Sequence, residues 1–209
     1  MSKDINAKQF FEEFTTQVYG EPKIIEDYWG NYKVFTGRII PIINSIIGES
    51  GCCVSNEYFR IDASGWNSRY KGISQEAKRI KMNPHLWDLM IAVEHENDKR
   101  DWADEVIKLL HIRCPLKVVI GYNDYENRTS EDDVDTVNTD EGKLAVVAHW
   151  MKETYAMKIL YAAKNSQVTE ELLIILGNAG KNPDKNNPAK SFDYRGYLYN
   201  YQTGAFERI

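Results

Sequence analysis

The stretch that decides the fold is Asp88-Leu89-Met90-Ile91-Ala92-Val93-Glu94-His95-Glu96-Asn97, an apolar run that closes on two acids one residue apart. Apolar residues on both faces of so short a run predict an interior strand of a sheet. Side chains alternate along a strand, so Glu94 and Glu96 share a face while His95 points the other way. A second strand-like run, Tyr58-Phe59-Arg60-Ile61-Asp62, also ends in an acid. If these two strands pair, Asp62, Glu94 and Glu96 gather at one edge of the sheet. Oxygen donors at that density suit a hydrated Mg²⁺ or Mn²⁺ ion and, through it, phosphoryl chemistry.

Working outward, the pattern alternates helices and strands. Phe10, Phe11, Phe14 and Val18 mark an amphipathic helix over Asp4 to Val18, stopped by Gly20-Glu21-Pro22. Dense apolar positions from Tyr32 to Ile47 predict a largely buried helix ending at Gly48, with Pro41 either kinking it or starting it. Cys52 to Ser55 and Tyr58 to Asp62 read as strands, and Ser74 to Met82 as a short helix stopped by Asn83-Pro84. After the central strand, Trp102, Val106, Leu109 and Leu110 line one face of a helix over Asp98 to His111, which Asn97 and Asp98 are expected to cap. Pro115 to Tyr122 then forms a strand at crossover distance.

The segment Asn123 to Glu141, with eight acids, one Arg and no apolar face, reads as an exposed loop. Gly142 to Ala163 is a long helix, Glu170 to Leu176 a strand, and Lys181 to Lys190 a loop. Tyr194 to Tyr201 and Ala205 to Ile209 form a terminal hairpin about Gln202-Thr203-Gly204. One domain over residues 1–209 accommodates these elements, with a core at about 34–122 and a C-terminal helix plus strands at 142–209.

Composition narrows the function classes. The 209 residues are 43% hydrophobic and 12% aromatic, which supports a folded globule. No apolar run of about 18 residues suggests a membrane span, and the N-terminus lacks a signal-peptide core, so a cytoplasmic protein is expected. Cys52, Cys53 and Cys114 stand at no zinc-ligand spacing and read as free thiols. A net charge of −5 argues against coating nucleic acid non-specifically. Local cations between the acidic strands, Arg60, Arg69, Lys71, Lys78, Arg79 and Lys81, remain available to hold a phosphate backbone. No phosphate-cradling Gly-rich loop and no Ser-His-Asp or Cys-His arrangement is present in the sequence.

The order helix, strands, acidic strand, helix, strand, with Asp62 ahead of Glu94-His95-Glu96, resembles the PD-(D/E)XK nuclease superfamily, which includes restriction endonucleases and Holliday junction resolvases. The resemblance covers roughly Val34 to Tyr122. It implies an α/β, restriction endonuclease-like fold with a mixed central sheet flanked by helices, and hydrolysis of DNA phosphodiester bonds with Mg²⁺ or Mn²⁺. By this resemblance Asp62 and Glu94 are metal-binding acids, and Glu96 takes the place usually held by Lys. There it activates water or binds metal. Lys108 supplies a migrated cation, Arg60 contacts the phosphate, and Glu49 is the nearest candidate for the acid of the first core helix. No Pro precedes Asp62, a departure from the motif.

DNA is therefore the expected partner, with a homodimer among the assembly states this reading admits. The alternative is a non-catalytic regulatory protein that keeps the nuclease fold and binds nucleic acid or protein, which the acidic charge and the missing Lys favour. A structural, oligomer-forming role resting on the Tyr-rich terminal hairpin is a third reading.

Overall fold

The computed structural model describes residues 5–66, 71–81, 88–98, 101–124, 139–154, 157, 170–179 and 192–209. Within them the chain builds a seven-stranded mixed sheet between two helical layers. The strands are β1 (Cys53–Tyr58), β2 (Ile61–Trp66), β3 (Leu89–His95), β4 (Leu116–Asp124), β5 (Glu171–Ala179), β6 (Phe192–Asn200) and β7 (Ala205–Arg208). They lie in the sheet in chain order. The central pairs β3–β4 and β4–β5 are parallel, and the outer pairs are antiparallel.

A parallel neighbour needs a crossover, and the described helices α5 (Trp102–Leu110) and α6 (Asp140–Glu153) lie in the connections after β3 and β4. Right-handed crossovers that advance in one direction leave their helices on one face. The packing agrees. Trp102, Val106 and Leu109 of α5 and Leu144, Val147 and Met151 of α6 share a core with Ala92, Val119 and Ile174. The opposite face carries α1 (Ala7–Gly20), α2 (Pro22–Gly30) and α3 (Tyr32–Glu49). Their Phe10, Phe14, Ile25, Phe35, Ile39 and Ile43 cover Val93, Val118, Ile120 and Leu173. Successive residues of β3 and β4 thus serve different layers, as strand alternation requires.

Close approach of α5 to β4 depends on Gly121. A Cβ there would stand 2.7 Å from Cβ of Trp102, whose side chain is fully buried over the strand. That contact, with Val106 and Leu109, sets how closely α5 and its polar side chains approach the sheet.

Several expectations need correction. Gly20-Glu21-Pro22 ends one helix but also begins another, because Pro22 occupies the first turn of α2, where its missing amide is no loss. Helix α3 runs through Pro41, so the proline neither starts nor ends it. The helix expected at Ser74 to Met82 is α4 (Lys71–Arg79). The central helix starts after Asp101 rather than at Asn97 and Asp98, and the Asn97 side-chain Nδ2 instead donates to the Thr36 hydroxyl. Asp140 and Glu141, placed in the acidic loop by composition, form the first turn of α6 with Thr139 as its cap. Residues 125–138 and 180–191, with most of 155–169, lie outside the described residues, and the two loop expectations fall largely there. Among the described residues no helix is long and apolar enough to cross a membrane.

Candidate functional site

Antiparallel pairing of β2 with β3 brings the two acidic strand ends together. Ala63 pairs with Val93, and one step further along the same ladder Asp62 stands across from Glu94. The Asp62 carboxylate accepts the His95 amide at 2.7 Å. Glu94 has the parity of Ala92, which places its side chain under α5. There it is 1% exposed.

Helix α5 supplies the countercharge. Lys108 Nζ lies 2.8 Å from Glu94 Oε1, also pairs with Glu105 one turn earlier, and donates to the Arg60 carbonyl at 3.0 Å. One ammonium thereby ties α5, β3 and the β1–β2 turn into a single cluster. Burial still dominates the electrostatics. It pushes the Glu94 carboxyl up to about 8, with Lys108 pulling it down and Asp62 and Glu105 adding to the rise. Asp62 is also raised, chiefly by burial, against the hydrogen bond from His95. Lys108 is held above its ordinary value: burial lowers it, but its hydrogen bonds and charge contacts with Glu105 and Glu94 outweigh that.

His95 faces the other layer, as strand alternation requires. Its Nε2 pairs with the Tyr122 hydroxyl at 2.7 Å, and burial lowers the imidazole to about 3. It is a neutral core residue.

Three other residues singled out from the sequence fall differently. Glu96 follows the last residue of β3, where its amide donates to the Ile120 carbonyl and its Oε1 accepts the Asp98 amide at 2.7 Å. Its carboxylate is engaged in the turn that leaves the strand. Glu49 ends α3, in the layer opposite α5, where it accepts the Ser45 hydroxyl at 2.8 Å and lines a groove with Ile5, Gln9, Glu13 and Ser50. The sheet separates it from Asp62 and Glu94. Arg60 is exposed at the β1–β2 turn, beside the cluster. Glu105 was not recognised in the sequence as part of the site. Its signal is the three-residue spacing to Lys108, which puts both on one side of a helix, but that spacing alone says nothing of what the helix covers.

Among the described residues no group of three or more His, Cys, Asp and Glu side chains is placed to hold a metal ion. The gathering of acids expected from the sequence is thus an opposed pair, Asp62 and Glu94. A pair suits Mg²⁺, which commonly takes one or two carboxylates and completes its shell with water and substrate phosphate.

A second polar cluster sits at the C-terminal ends of β4 and β5. Asp140, 3% exposed, accepts from Asn123 at 2.7 Å, Asn178 at 3.1 Å, Arg195 at 3.2 Å and Tyr197 at 3.0 Å. Four donors satisfy this carboxylate, and the network fastens the start of α6 to three strands. Comparison with protein-family models, with curated proteins and with solved structures returns no match to this chain.

Proposed function

We propose that this chain is a metal-dependent nuclease of the PD-(D/E)XK type that hydrolyses DNA phosphodiester bonds. The supporting observation is the meeting of Asp62, Glu94 and Lys108 at one end of the mixed sheet. The order α3, β1, β2, β3, α5, β4 carries them, with α4 between β2 and β3.

In this reading Asp62 and Glu94 hold the Mg²⁺ or Mn²⁺ ion. When bound, the ion polarises the phosphate and lowers the pKa of attacking water. Lys108, which already contacts Glu94, supplies positive charge beside the phosphate where a motif lysine is missing from position 96. Glu105 holds that ammonium in place. Arg60 projects from the adjoining turn, where its planar guanidinium suits a phosphate oxygen pair. Glu96, engaged with the Asp98 amide, is left with a supporting part in this scheme.

The test is cleavage of plasmid and single-stranded DNA with Mg²⁺ or Mn²⁺ by wild type, Asp62→Ala and Glu94→Ala. Metal-dependent cleavage abolished by both substitutions supports the reading. Cleavage that survives both excludes this site. One observation favours a second reading, a binding protein that keeps the fold without catalysis: Lys108 closes an ion pair with each of two acids and so resembles a structural tie. That reading expects no heat on titration with either metal while DNA or a protein partner is still retained.

A further inference from the structure

The turn between β1 and β2 stands beside the acid pair and is built at a conformational cost. Phe59 and Arg60 in the turn have positive φ, at 53° and 62°, as does Glu57 near the end of β1, at 54°. For residues with a Cβ this region is sparsely populated, and a bulky aromatic there is an outlier. A two-residue hairpin turn demands this conformation of both its central residues, a place usually filled by Asn and Gly and here by Phe59 and Arg60. What this turn aims outward is Phe59, 69% exposed and the most exposed of the large apolar side chains among the described residues. Tyr58 supports it from behind in an edge contact, with ring centroids 4.9 Å apart.

Next to it Arg60 is exposed, and among the described residues none makes an ion pair or hydrogen bond with its guanidinium. The Arg60 carbonyl accepts from Lys108, which also reaches Glu94. An open aromatic face, an open cation and the acid pair therefore lie in succession at one end of the sheet.

We propose that this turn is a stacking element for an unpaired base of a DNA strand, with Phe59 against the base and Arg60 against the neighbouring phosphate. The proposal deepens the nuclease reading by naming the substrate class as single-stranded or locally unpaired DNA. It rests on that reading for the identity of the polymer. Every base has a π-face, so an aromatic platform binds without sequence preference, but the face must be free of its neighbours to be reached. A net charge of −5 gives the chain no overall basic field, so stacking supplies affinity that net charge does not. An exposed phenyl ring beside a guanidinium matches the alternation of base and phosphate along one strand.

The test is binding of dye-labelled single-stranded and duplex oligonucleotides, followed by fluorescence anisotropy in EDTA so that no cleavage intervenes. Wild type is compared with Phe59→Ala and Phe59→Trp. Loss of one base stack weakens single-strand binding by about 5- to 150-fold in Phe59→Ala. The tryptophan variant restores it, its emission is quenched by added single strand, and duplex binding stays within about two-fold throughout. The proposal is overturned by equal single-strand affinity in Phe59→Ala, by equal losses on both substrates, or by absence of binding in wild type.

The two readings fail separately. Binding that depends on Phe59, without any metal-dependent cleavage, removes the nuclease and leaves the stacking element. Cleavage that depends on Asp62 but is indifferent to Phe59 does the reverse.

Discussion

Lys108 Nζ stands 2.8 Å from Glu94 Oε1, yet burial pushes the Glu94 carboxyl up to about 8, far above the ordinary value of 4.5. The two facts are compatible because taking a carboxylate out of water costs more than one partly exposed ammonium returns. The pair is a strained arrangement of charge rather than a source of stability, and it makes the fold sensitive to pH.

In the folded chain Glu94 keeps its proton to higher pH than in the unfolded chain. Its contribution to stability is therefore full below about 4.5 and is lost as pH rises through about 8. Glu94→Gln removes this dependence. Thermal unfolding across pH 5 to 9 is expected to show wild type losing Tm relative to the variant as pH rises, with the two alike near the acid end; parallel curves would refute the assignment.

Lys108→Met leaves Glu94 buried without its cation. The expected loss is about 1–3 kcal/mol in urea unfolding at pH 8, less than for a fully buried pair because Lys108 is one-third exposed. At pH 5 Glu94 holds its proton and most of the loss disappears. Adding Glu94→Gln to Lys108→Met is expected to recover stability at pH 8, since an amide needs no countercharge. A double variant no better than Lys108→Met would show that the lysine acts through packing alone.

Asp140→Ala strands four donors at once, those of Asn123, Asn178, Arg195 and Tyr197. The expected cost is about 3–5 kcal/mol by denaturant unfolding, the range for breaking a buried charged network. Asp140→Asn keeps one acceptor and is expected to fall between that value and wild type. A change below about 0.5 kcal/mol in Asp140→Ala, the scale of ordinary surface substitutions, would mean that the network carries no load.

Gly121→Ala puts a methyl group 2.7 Å from Trp102. Overpacking of this kind costs about 1–3 kcal/mol. Because the contact helps set how closely α5 approaches the sheet, tryptophan emission and Tm are both expected to shift. DNA cleavage, if present, is expected to fall as Lys108 and Glu105 move with the helix. Wild-type stability and emission in the variant would show that α5 has room to give.

The sequence carried the sheet's centre well. An apolar run as pure as Leu89 to Val93 has few other homes, and the period of Trp102, Val106 and Leu109 requires a sheet face beneath it. The meeting of Asp62 with Glu94 was legible because strand ends and alternation are local properties. Glu49 was misplaced for a geometric reason: chain order names the helix that bears an acid but not the face of the sheet that helix covers. Glu96 looked equivalent to Glu94 only on the assumption that the strand continues past His95, and the bond to the Asp98 amide shows it turning away. Asp140 was hidden by its neighbours, since acids on either side make a buried carboxylate look like part of a solvated loop. Helix α2 was missed because the signal that ends a helix, a proline, also begins one.

The N-terminal helix is fastened to the last strands of the sheet. The Ala7 amide donates to the Glu171 carboxylate at 2.6 Å, and the Tyr19 hydroxyl accepts the Tyr194 amide at 2.9 Å. On the ribosome, a chain whose strands each pair with their immediate predecessor can add ladders as it emerges, and α1 can meet α2 and α3 early, but its seat against the sheet is complete only when β5 and β6 have been made. The docking of the first three helices on the sheet is thus finished by strands made at the other end of the fold, which joins early and late segments in one closing step.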